Sequence, residues 1–395
     1  MTSSAGSPSG LLRAAAAHGL PGAAPLPRRT AGDLPWGDVI ALAERQRVLG
    51  LLAAAVADDP DVDLAPAERV ALAEAHEGWC VHDLRLERQL LQAAELLDEA
   101  GIPFVTFKGP ALAHGWYADP AWRLFADLDL LVPGARLADA VAVLGAGLGA
   151  GAVLPELRTG FDERFGKESL LVTAPTPTSP LGFEIDVHRT LVAGALGLAI
   201  PLDELFDDRG SFVLGDRSIP TLGVVPTFLA ACYQATIADV PPRLAAARDV
   251  VQLVRSARFD LDATLAAATR WQARAVMAEA VTWAWRTLAV AERPDVVLWA
   301  ERYRPTRRER WLLDSHRTTG YVYWRQLAAV AVLPGIEPRA RYLQATLAPQ
   351  ASYLERRRWT FANHVRTALR ALSRPVREPV VRGVRRFRRR YWPPA

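Results

Sequence analysis

Lysine and cysteine are both scarce in this chain of 395 residues. Its two cysteines, Cys80 and Cys232, exclude a disulfide framework and a cysteine-based metal site, and they fit a reducing cytosol. Arg13 interrupts the short apolar run near the N-terminus, so this run lacks the pattern of a signal peptide. No stretch reaches about 18 uninterrupted apolar residues, the length that a membrane-spanning helix needs. The sequence therefore predicts a cytoplasmic protein with no transmembrane segment.

The two lysines are Lys108 and Lys167, so 45 of the 47 basic residues are arginines. A chain that uses arginine at almost every basic position, as the coding of a GC-rich genome favours, nevertheless has lysine directly before Gly109. The lysine ammonium is a compact point charge that commonly holds a phosphate. We expect Lys108 to contact a phosphate group; the alternative is an ordinary surface lysine.

Positive charge is concentrated near the C-terminus. Residues 336–395 hold 15 arginines and 3 glutamates, a net charge of +12, which leaves −8 on residues 1–335. Arginines are interleaved there with Val, Phe, Tyr and Trp, a composition that suits an anionic membrane surface, RNA or an acidic partner. The alternative is a flexible, solvated tail that pairs with the acidic part of the chain.

Two aspartates lie in a segment that otherwise has the pattern of a buried strand. Residues 102–107 and 125–132 are apolar runs, each followed by a glycine-containing turn. Because side chains alternate along a strand, Asp127 and Asp129 face the same side, with Cα atoms about 6.6 to 6.8 Å apart. Two such charges repel each other and lose hydration unless a cation or hydrogen-bond donors neutralise them. The pattern favours a metal site, although an Asp-x-Asp pair at a strand edge can also be solvated or cap a loop.

A third strand-like segment, residues 183–188, contains Asp186. Glu184 shares the face of Asp186 and is the second choice for a third carboxylate. His188 lies on that face too, where it can orient a ligand, bind phosphate or satisfy a carbonyl at the strand end.

Three motifs resemble the polymerase-β-type nucleotidyltransferase superfamily, and within it the bacterial group usually labelled nucleotidyltransferase family protein. The motifs are the turn Phe107-Lys108-Gly109, the stretch that runs from Tyr117 to Pro120 and from Arg123 through Asp127-Leu128-Asp129 to Val132, and Ile185-Asp186-Val187-His188. The similarity extends over about residues 31 to 290. It departs from the pattern at the turn, where Lys-Gly replaces the Gly-Ser of the wider superfamily, and in the spacer before the aspartates, which lacks glycine.

The resemblance implies an α+β fold with a nucleotidyltransferase core, a mixed sheet and helical regions on both sides. It implies transfer of a nucleoside monophosphate from an NTP, ATP included, to an unidentified acceptor, which can be a small molecule, a protein or RNA. Two Mg²⁺ ions, or Mn²⁺ in their place, would support the reaction. The implied catalytic and metal-binding residues are Asp127, Asp129 and Asp186. The implied nucleotide-binding residues are Lys108, Gly109, Arg123 and His188.

Two other functions stay open. One is a catalytically degenerate protein that keeps the fold and binds an NTP or a partner. The other is an RNA-directed, toxin-like nucleotidyltransferase, which the basic C-terminal segment allows.

The remaining segments are predicted to be mainly helical. Residues rich in Ser, Gly, Ala and Pro at the N-terminus are expected to lack fixed structure, and apolar residues at helical spacing follow. The predicted regions are a disordered N-terminus over 1–30, an N-terminal helical region over 31–100, the nucleotidyltransferase core over 101–224, a C-terminal helical region over 225–335 and an Arg-rich tail over 336–395. Asp249 resembles an aspartate that the family carries on a C-terminal helix; the alternative is a solvated helix charge.

Overall fold

The computed structural model describes residues 8–27, 35–59, 62, 64–175, 182–238, 241–317, 322–358, 360–364 and 366. Within them, a mixed seven-stranded sheet packs against helices. The strands are β1 (Val105–Phe107), β2 (Asp127–Leu131), β3 (Ala150–Ala152), β4 (Glu168–Thr173), β5 (Glu184–His188), β6 (Arg209–Leu214) and β7 (Arg217–Leu222). Their order across the sheet is β3-β4-β5-β2-β1-β7-β6. The α+β class with a mixed sheet is therefore confirmed.

The two acidic strands are neighbours and run parallel. In the β2–β5 pair, Asp129 lies opposite Asp186 and Leu131 lies opposite His188. On its other side β2 pairs with the antiparallel β1, where Phe107 lies opposite Asp129. This register brings the two acidic motifs together although 56 residues separate Asp129 from Asp186 in the chain.

Helices of the N-terminal half precede the first strand or connect the strands. They are α1 (Pro8–Ala16), α2 (Trp36–Arg45), α3 (Leu49–Asp58), α4 (Pro66–Glu99), α5 (Gly109–Trp116), α6 (Leu137–Leu148), α7 (Phe161–Arg164), α8 (Gly194–Leu198) and α9 (Glu204–Asp207). Helix α4 begins with a proline, whose missing N–H costs nothing in the first turn. The Glu68 carboxylate reaches back to accept a hydrogen bond from the Ala65 N–H at 3.0 Å, which fixes this helix start.

The C-terminal half is helical. Its helices are α10 (Val224–Tyr233), α11 (Leu244–Val254), α12 (Leu261–Arg270), α13 (Arg274–Leu288), α14 (Asp295–Arg302), α15 (Arg307–Arg317), α16 (Val322–Val332), α17 (Ile336–Leu347) and α18 (Ala351–Arg356). A π-helical turn, Gln234–Ala238, continues α10.

Alternate residues of β2 belong to different cores. Leu128 and Leu130 are buried in an apolar cluster with residues of α4 and α6. Leu131 belongs to a second cluster that includes Phe107 and the apolar faces of α10, α11 and α13. Since Asp129 shares the face of Leu131, strand alternation turns its carboxylate toward the C-terminal helices.

The expectation that residues 1–30 lack fixed structure is wrong for residues 8–27. Helix α1 buries Leu12, Ala15 and Ala16, which join the same core as α3 and α11. The Arg248 guanidinium donates to the Ala16 carbonyl at 3.2 Å, which ties the helix to α11. The composition was misleading because alanine, counted there among the residues of a disordered segment, is also the strongest helix former.

The Arg-rich segment is not a separate tail over its whole length. Helix α17 buries Tyr342, which packs against Phe161 and Phe165 with ring centroids 5.5 and 5.4 Å apart. The Gln350 amide, just before α18, donates to the Glu156 carbonyl at 2.8 Å. Residues 367–395, which carry nine of the 15 arginines, lie outside the described residues.

None of the helices in the described ranges is long and apolar enough to cross a membrane.

Candidate active site

A cleft opens between the β1–β2 pair and helices α10 and α11. Five of the site residues predicted from the sequence line this cleft. They are Lys108, Gly109, Arg123, Asp127 and Asp129. Opposite them, α10 contributes Thr227 and Ala230, and α11 contributes Ala245 and Asp249. Strand β2 therefore supplies two carboxylates, the segments beside the strands supply Lys108 and Arg123, and the helices supply small residues together with Asp249.

The turn between β1 and α5 has an unusual backbone at Lys108. Its φ is +57°, a region that side-chain-bearing residues rarely adopt, and its carbonyl accepts the Leu112 N–H at 2.8 Å to start the helix. Such strain is kept where the surrounding structure holds it, often at functional sites. This turn presents the Lys108 side chain to the acidic strands.

Asp129 is the most buried carboxylate of the cleft. Its Oδ1 lies 2.5 Å from Lys108 Nζ and 2.8 Å from His188 Nε2. Burial alone would raise the pKa of Asp129, but the Lys108 ammonium and the His188 hydrogen bond hold it well below its usual range. Burial would likewise lower the pKa of Lys108, and the Asp129 charge raises it instead. These two side chains therefore form a buried ion pair.

His188 connects this pair to a second one. Its Nδ1 lies 3.3 Å from Glu168 Oε2, and Lys167 forms an ion pair with the same carboxylate. Burial would raise the pKa of Glu168, but the His188 and Lys167 charges lower it. Burial lowers the pKa of His188 itself, against the hydrogen bond to Asp129. Both lysines of the chain thus neutralise carboxylates that flank one buried histidine.

Asp186 completes a group of possible metal ligands. Asp129, Asp186 and His188 each offer one ligand atom, and these atoms all lie within 4.8 Å of one another. Burial and the charges of Glu168 and Asp129 raise the pKa of Asp186 to about 7. The two acids of β5 differ in position: Glu184 is exposed at the strand start, whereas Asp186 lies beside Asp129.

Asp127 lines the cleft but lies outside that group of three. Burial and the Asp129 charge raise its pKa. Burial is the main cause of both raised pKa values and neighbouring carboxylates add to it, so a bound cation would offset both. Carboxylate oxygens suit Mg²⁺ or Mn²⁺, whereas the nitrogen of His188 is already directed at Asp129. The residues present therefore fit a divalent cation held by oxygen.

Arg123 is engaged by the protein itself. Its Nε and Nη2 donate to the two carboxylate oxygens of Asp249 at 2.8 and 2.9 Å, and its Nη1 donates to the Leu124 carbonyl at 2.8 Å. The Tyr117 hydroxyl donates to Asp249 Oδ1 at 2.7 Å. Asp249 is buried, so the interpretation of this residue as a solvated helix charge is wrong. The arrangement clamps α11 onto the segment that leads into β2.

The sequence-predicted residues are thus brought to one region in two groups. Lys108, Asp129, Asp186 and His188 are in contact or near contact, and Asp127 and Arg123 lie along the cleft. Three charged residues that the sequence analysis did not single out join them: Glu168 beside His188, and Arg47 and Arg243 in the wall of the cleft. A signal existed for Glu168, because it follows the second of only two lysines.

A mixed sheet that carries carboxylates on adjacent parallel strands, facing a helical wall across a polar cleft, has the arrangement expected of a nucleotidyltransferase. Comparison of the sequence with family models places the chain in a family. The model described as "uncharacterised nucleotidyltransferase" matches residues 32–289, and the chain belongs to that family. The resemblance seen in the three motifs is confirmed.

Comparisons with individual proteins add little detail. No curated protein matches the chain. Among solved structures, the chain is similar to an antigenic nucleotidyltransferase-like protein from Paracoccidioides brasiliensis. The two share 13% identity, the match covers 49% of this chain and 91% of the other, and the TM-score is 0.29.

Proposed function

We propose that this protein transfers a nucleoside monophosphate from an NTP to the hydroxyl group of an acceptor. The observation that carries the proposal is the pairing of Asp129 with Asp186 on adjacent parallel strands, in a chain of the nucleotidyltransferase family. In the reaction, the acceptor oxygen attacks the α-phosphorus. The bond from that phosphorus to the bridging oxygen breaks, and pyrophosphate leaves.

The carboxylates are proposed to serve as metal ligands and as the proton acceptor. Asp129 and Asp186, with Asp127 for a second position, would hold Mg²⁺ or Mn²⁺. When bound, such ions polarise phosphoryl oxygens and lower the pKa of an acceptor hydroxyl. Asp186, on the strand next to Asp129, is also proposed to take the acceptor proton.

Positive groups of the cleft are proposed to bind the triphosphate. Lys108 lies at the strained turn beside Asp129, and Gly109, which lacks a side chain, also lines the cleft. His188 holds Asp129 in place through Nε2 and so orients a carboxylate that is proposed to bind the metal ion of the nucleotide. Arg123 contributes its charge to the cleft, although its nitrogens donate within the protein.

One observation favours the alternative of a catalytically degenerate protein. The Lys108 ammonium lies 2.5 Å from Asp129 Oδ1, so the structure neutralises this carboxylate without a metal ion. A protein that binds NTP through Lys108 and lacks transfer activity is compatible with this contact.

One experiment separates these functions. The protein is incubated with each NTP labelled on its α-phosphate, with Mg²⁺ and a cell extract, and the labelled product is identified. The proposal predicts an acceptor that carries label, and no label with the Asp186→Asn variant. Asp139→Asn, an exposed carboxylate of α6, is the matched control and should label normally. Label on RNA would favour the RNA-directed enzyme, and NTP binding without any labelled product would favour the degenerate protein.

A further inference from the structure

We infer that Arg47, in the N-terminal helical region, binds the phosphate groups of the ligand that enters the cleft. This role rests on the proposed function in that it names a contact for the triphosphate. The role of Arg47 also goes beyond the proposed function, because Arg47 lies some 60 residues before the first nucleotidyltransferase motif. It adds a phosphate contact from a part of the chain in which none was predicted.

Arg47 lies in the connection between α2 and α3 and lines the cleft together with Lys108 and Asp127. Its Nη1 is buried and has no hydrogen-bond partner within the described residues. A buried donor without an acceptor costs about 1 to 3 kcal/mol, so such groups are uncommon unless something else satisfies them. A phosphate oxygen in the cleft would supply the missing acceptor.

The backbone around Arg47 is held in place by neighbouring elements. The preceding residue, Gln46, accepts hydrogen bonds from the first amides of α11: its Oε1 from Leu244 at 3.0 Å and its carbonyl from Ala245 at 3.2 Å. On α3, a Cβ added at Gly50 would lie 2.1 Å from the Ala121 carbonyl oxygen. Only glycine permits this approach, which presses α3 against the segment that precedes β2.

The side chain of Arg47 is positioned as well. Its Cζ lies 5.0 Å from the centre of the Trp79 ring, a cation–π distance. The residue itself has φ of +57°, a second strained residue at this cleft besides Lys108. Because Gln46 occupies the first amides of α11, an anion here must be bound by side chains and not by the helix start.

The balance of charge in the cleft points to an anion. Lys108 pairs with Asp129 and Arg123 pairs with Asp249, so these four charges largely cancel. With Arg47, Arg243 and Asp127 included, the described residues of the lining carry four cationic side chains and three carboxylates, a net charge of +1. Burial and the nearby Arg243 lower the pKa of Arg47, the signature of a desolvated cation beside a like charge. A polyanion relieves both penalties, and a guanidinium fork suits phosphate oxygens.

The test compares two arginines that are two residues apart. In the full chain, Arg47→Gln is measured against Arg45→Gln, which replaces an exposed arginine at the end of α2. Binding of inorganic tripolyphosphate and of an NTP is measured by calorimetry. Arg47→Gln should weaken both by roughly tenfold or more, the usual effect of one charge-assisted hydrogen bond. Arg45→Gln should leave both unchanged, and Arg47→Lys, which keeps the charge and loses the fork, should fall between.

The outcomes also separate this inference from the proposed function. Wild-type affinity in Arg47→Gln, or an equal loss in Arg45→Gln, overturns the role of Arg47 whether or not transfer occurs. A specific loss in Arg47→Gln without transfer to any acceptor supports the phosphate site and counts against the proposed reaction. A wild-type protein that binds neither tripolyphosphate nor NTP overturns both. The melting temperature of ligand-free Arg47→Gln should stay close to that of the wild type, because the variant loses the contact with Trp79 and also removes a buried donor that has no partner in the described residues.

Discussion

Replacing Arg123 with alanine is expected to lower the free energy of unfolding by about 3 to 5 kcal/mol, the range measured when one partner of a buried ion pair is removed. Arg123 is 13% exposed and its partner Asp249 is 3% exposed, so the variant leaves a carboxylate without its counter-charge in the core. Two hydrogen bonds to that carboxylate are lost, and among the described residues the hydrogen bond from the Tyr117 hydroxyl is kept.

The size of the penalty can be bounded independently. A stranded carboxylate can take up a proton, and protonating an ordinary aspartate at pH 7 costs about 4 kcal/mol, three pKa units at 1.36 kcal/mol each. Protonation therefore caps the cost of the unpaired charge near that value. Loss of the hydrogen bond from Arg123 to the Leu124 carbonyl adds about 1 kcal/mol. The two contributions together agree with the range for buried ion pairs.

The assay is chemical unfolding of four proteins: wild type, Arg123→Ala, Asp249→Asn and the double variant. The double variant should be less destabilised than the sum of the single variants, by about 2 kcal/mol or more, because the residues contact each other. The matched control is Arg136→Ala, which breaks an ion pair with Asp139 that is 37% and 62% exposed and should change stability by less than about 1 kcal/mol. If Arg123→Ala unfolds like the control while NTP binding is lost, Arg123 is a phosphate ligand and the clamp described above is wrong.

Three further predictions concern other parts of the molecule. Burial raises the pKa of Asp83 to about 8, so the folded protein holds this proton more tightly and loses stability as pH rises from about 4 to 8; melting temperatures of Asp83→Asn should match the wild type at pH 4 and exceed it at pH 8. Asp127→Asn should raise the melting temperature without metal, because burial and the Asp129 charge disfavour the charged Asp127 carboxylate. Asp129→Asn should lower it, because it removes the ion pair with Lys108. Label transfer should be lost in both variants. Deleting residues 367–395 should weaken binding to anionic vesicles in a salt-dependent way and leave folding intact. Deleting residues 336–395 should instead lower soluble expression, because part of this segment packs in a core. The soluble fraction of each truncated protein measures the difference.

Local patterns were sufficient to predict the acidic strands, because period-two alternation shows which residues share a face. They could not show that β2 and β5 are neighbours, since strand pairing depends on contacts between residues distant in the chain. The adjacency of Asp129 and Asp186 came from the family resemblance, and the register bears it out. The β6–β7 hairpin was predictable from its local sequence as well, because Gly215-Asp216 between two alternating runs is a typical two-residue hairpin loop.

Charge partners were the least predictable part of the site. Nothing in the sequence near Arg123 indicates that its guanidinium is occupied by a residue 126 positions later. Equally, nothing in the sequence near Arg47 indicates that its Nη1 has no hydrogen-bond partner in the part of the chain that the structure describes. Both facts depend on how α3 and α11 pack against the segment before β2, which is decided by close contacts such as that of Gly50 with Ala121.

These contacts divide the arginines of the cleft by role. A guanidinium whose nitrogens are all used within the protein stabilises the walls, and its removal is expected to appear first in the unfolding free energy. A guanidinium with a buried donor that has no partner in the described residues contributes nothing to folding through that donor, so its removal is expected to appear mainly in ligand affinity. Arg123 and Arg47 line the same cleft and have the same side chain, so stability and affinity measured on both variants test the assignment of each. If the two variants lost stability and affinity in the same proportion, the hydrogen-bond partners seen in the structure would not determine what these arginines do.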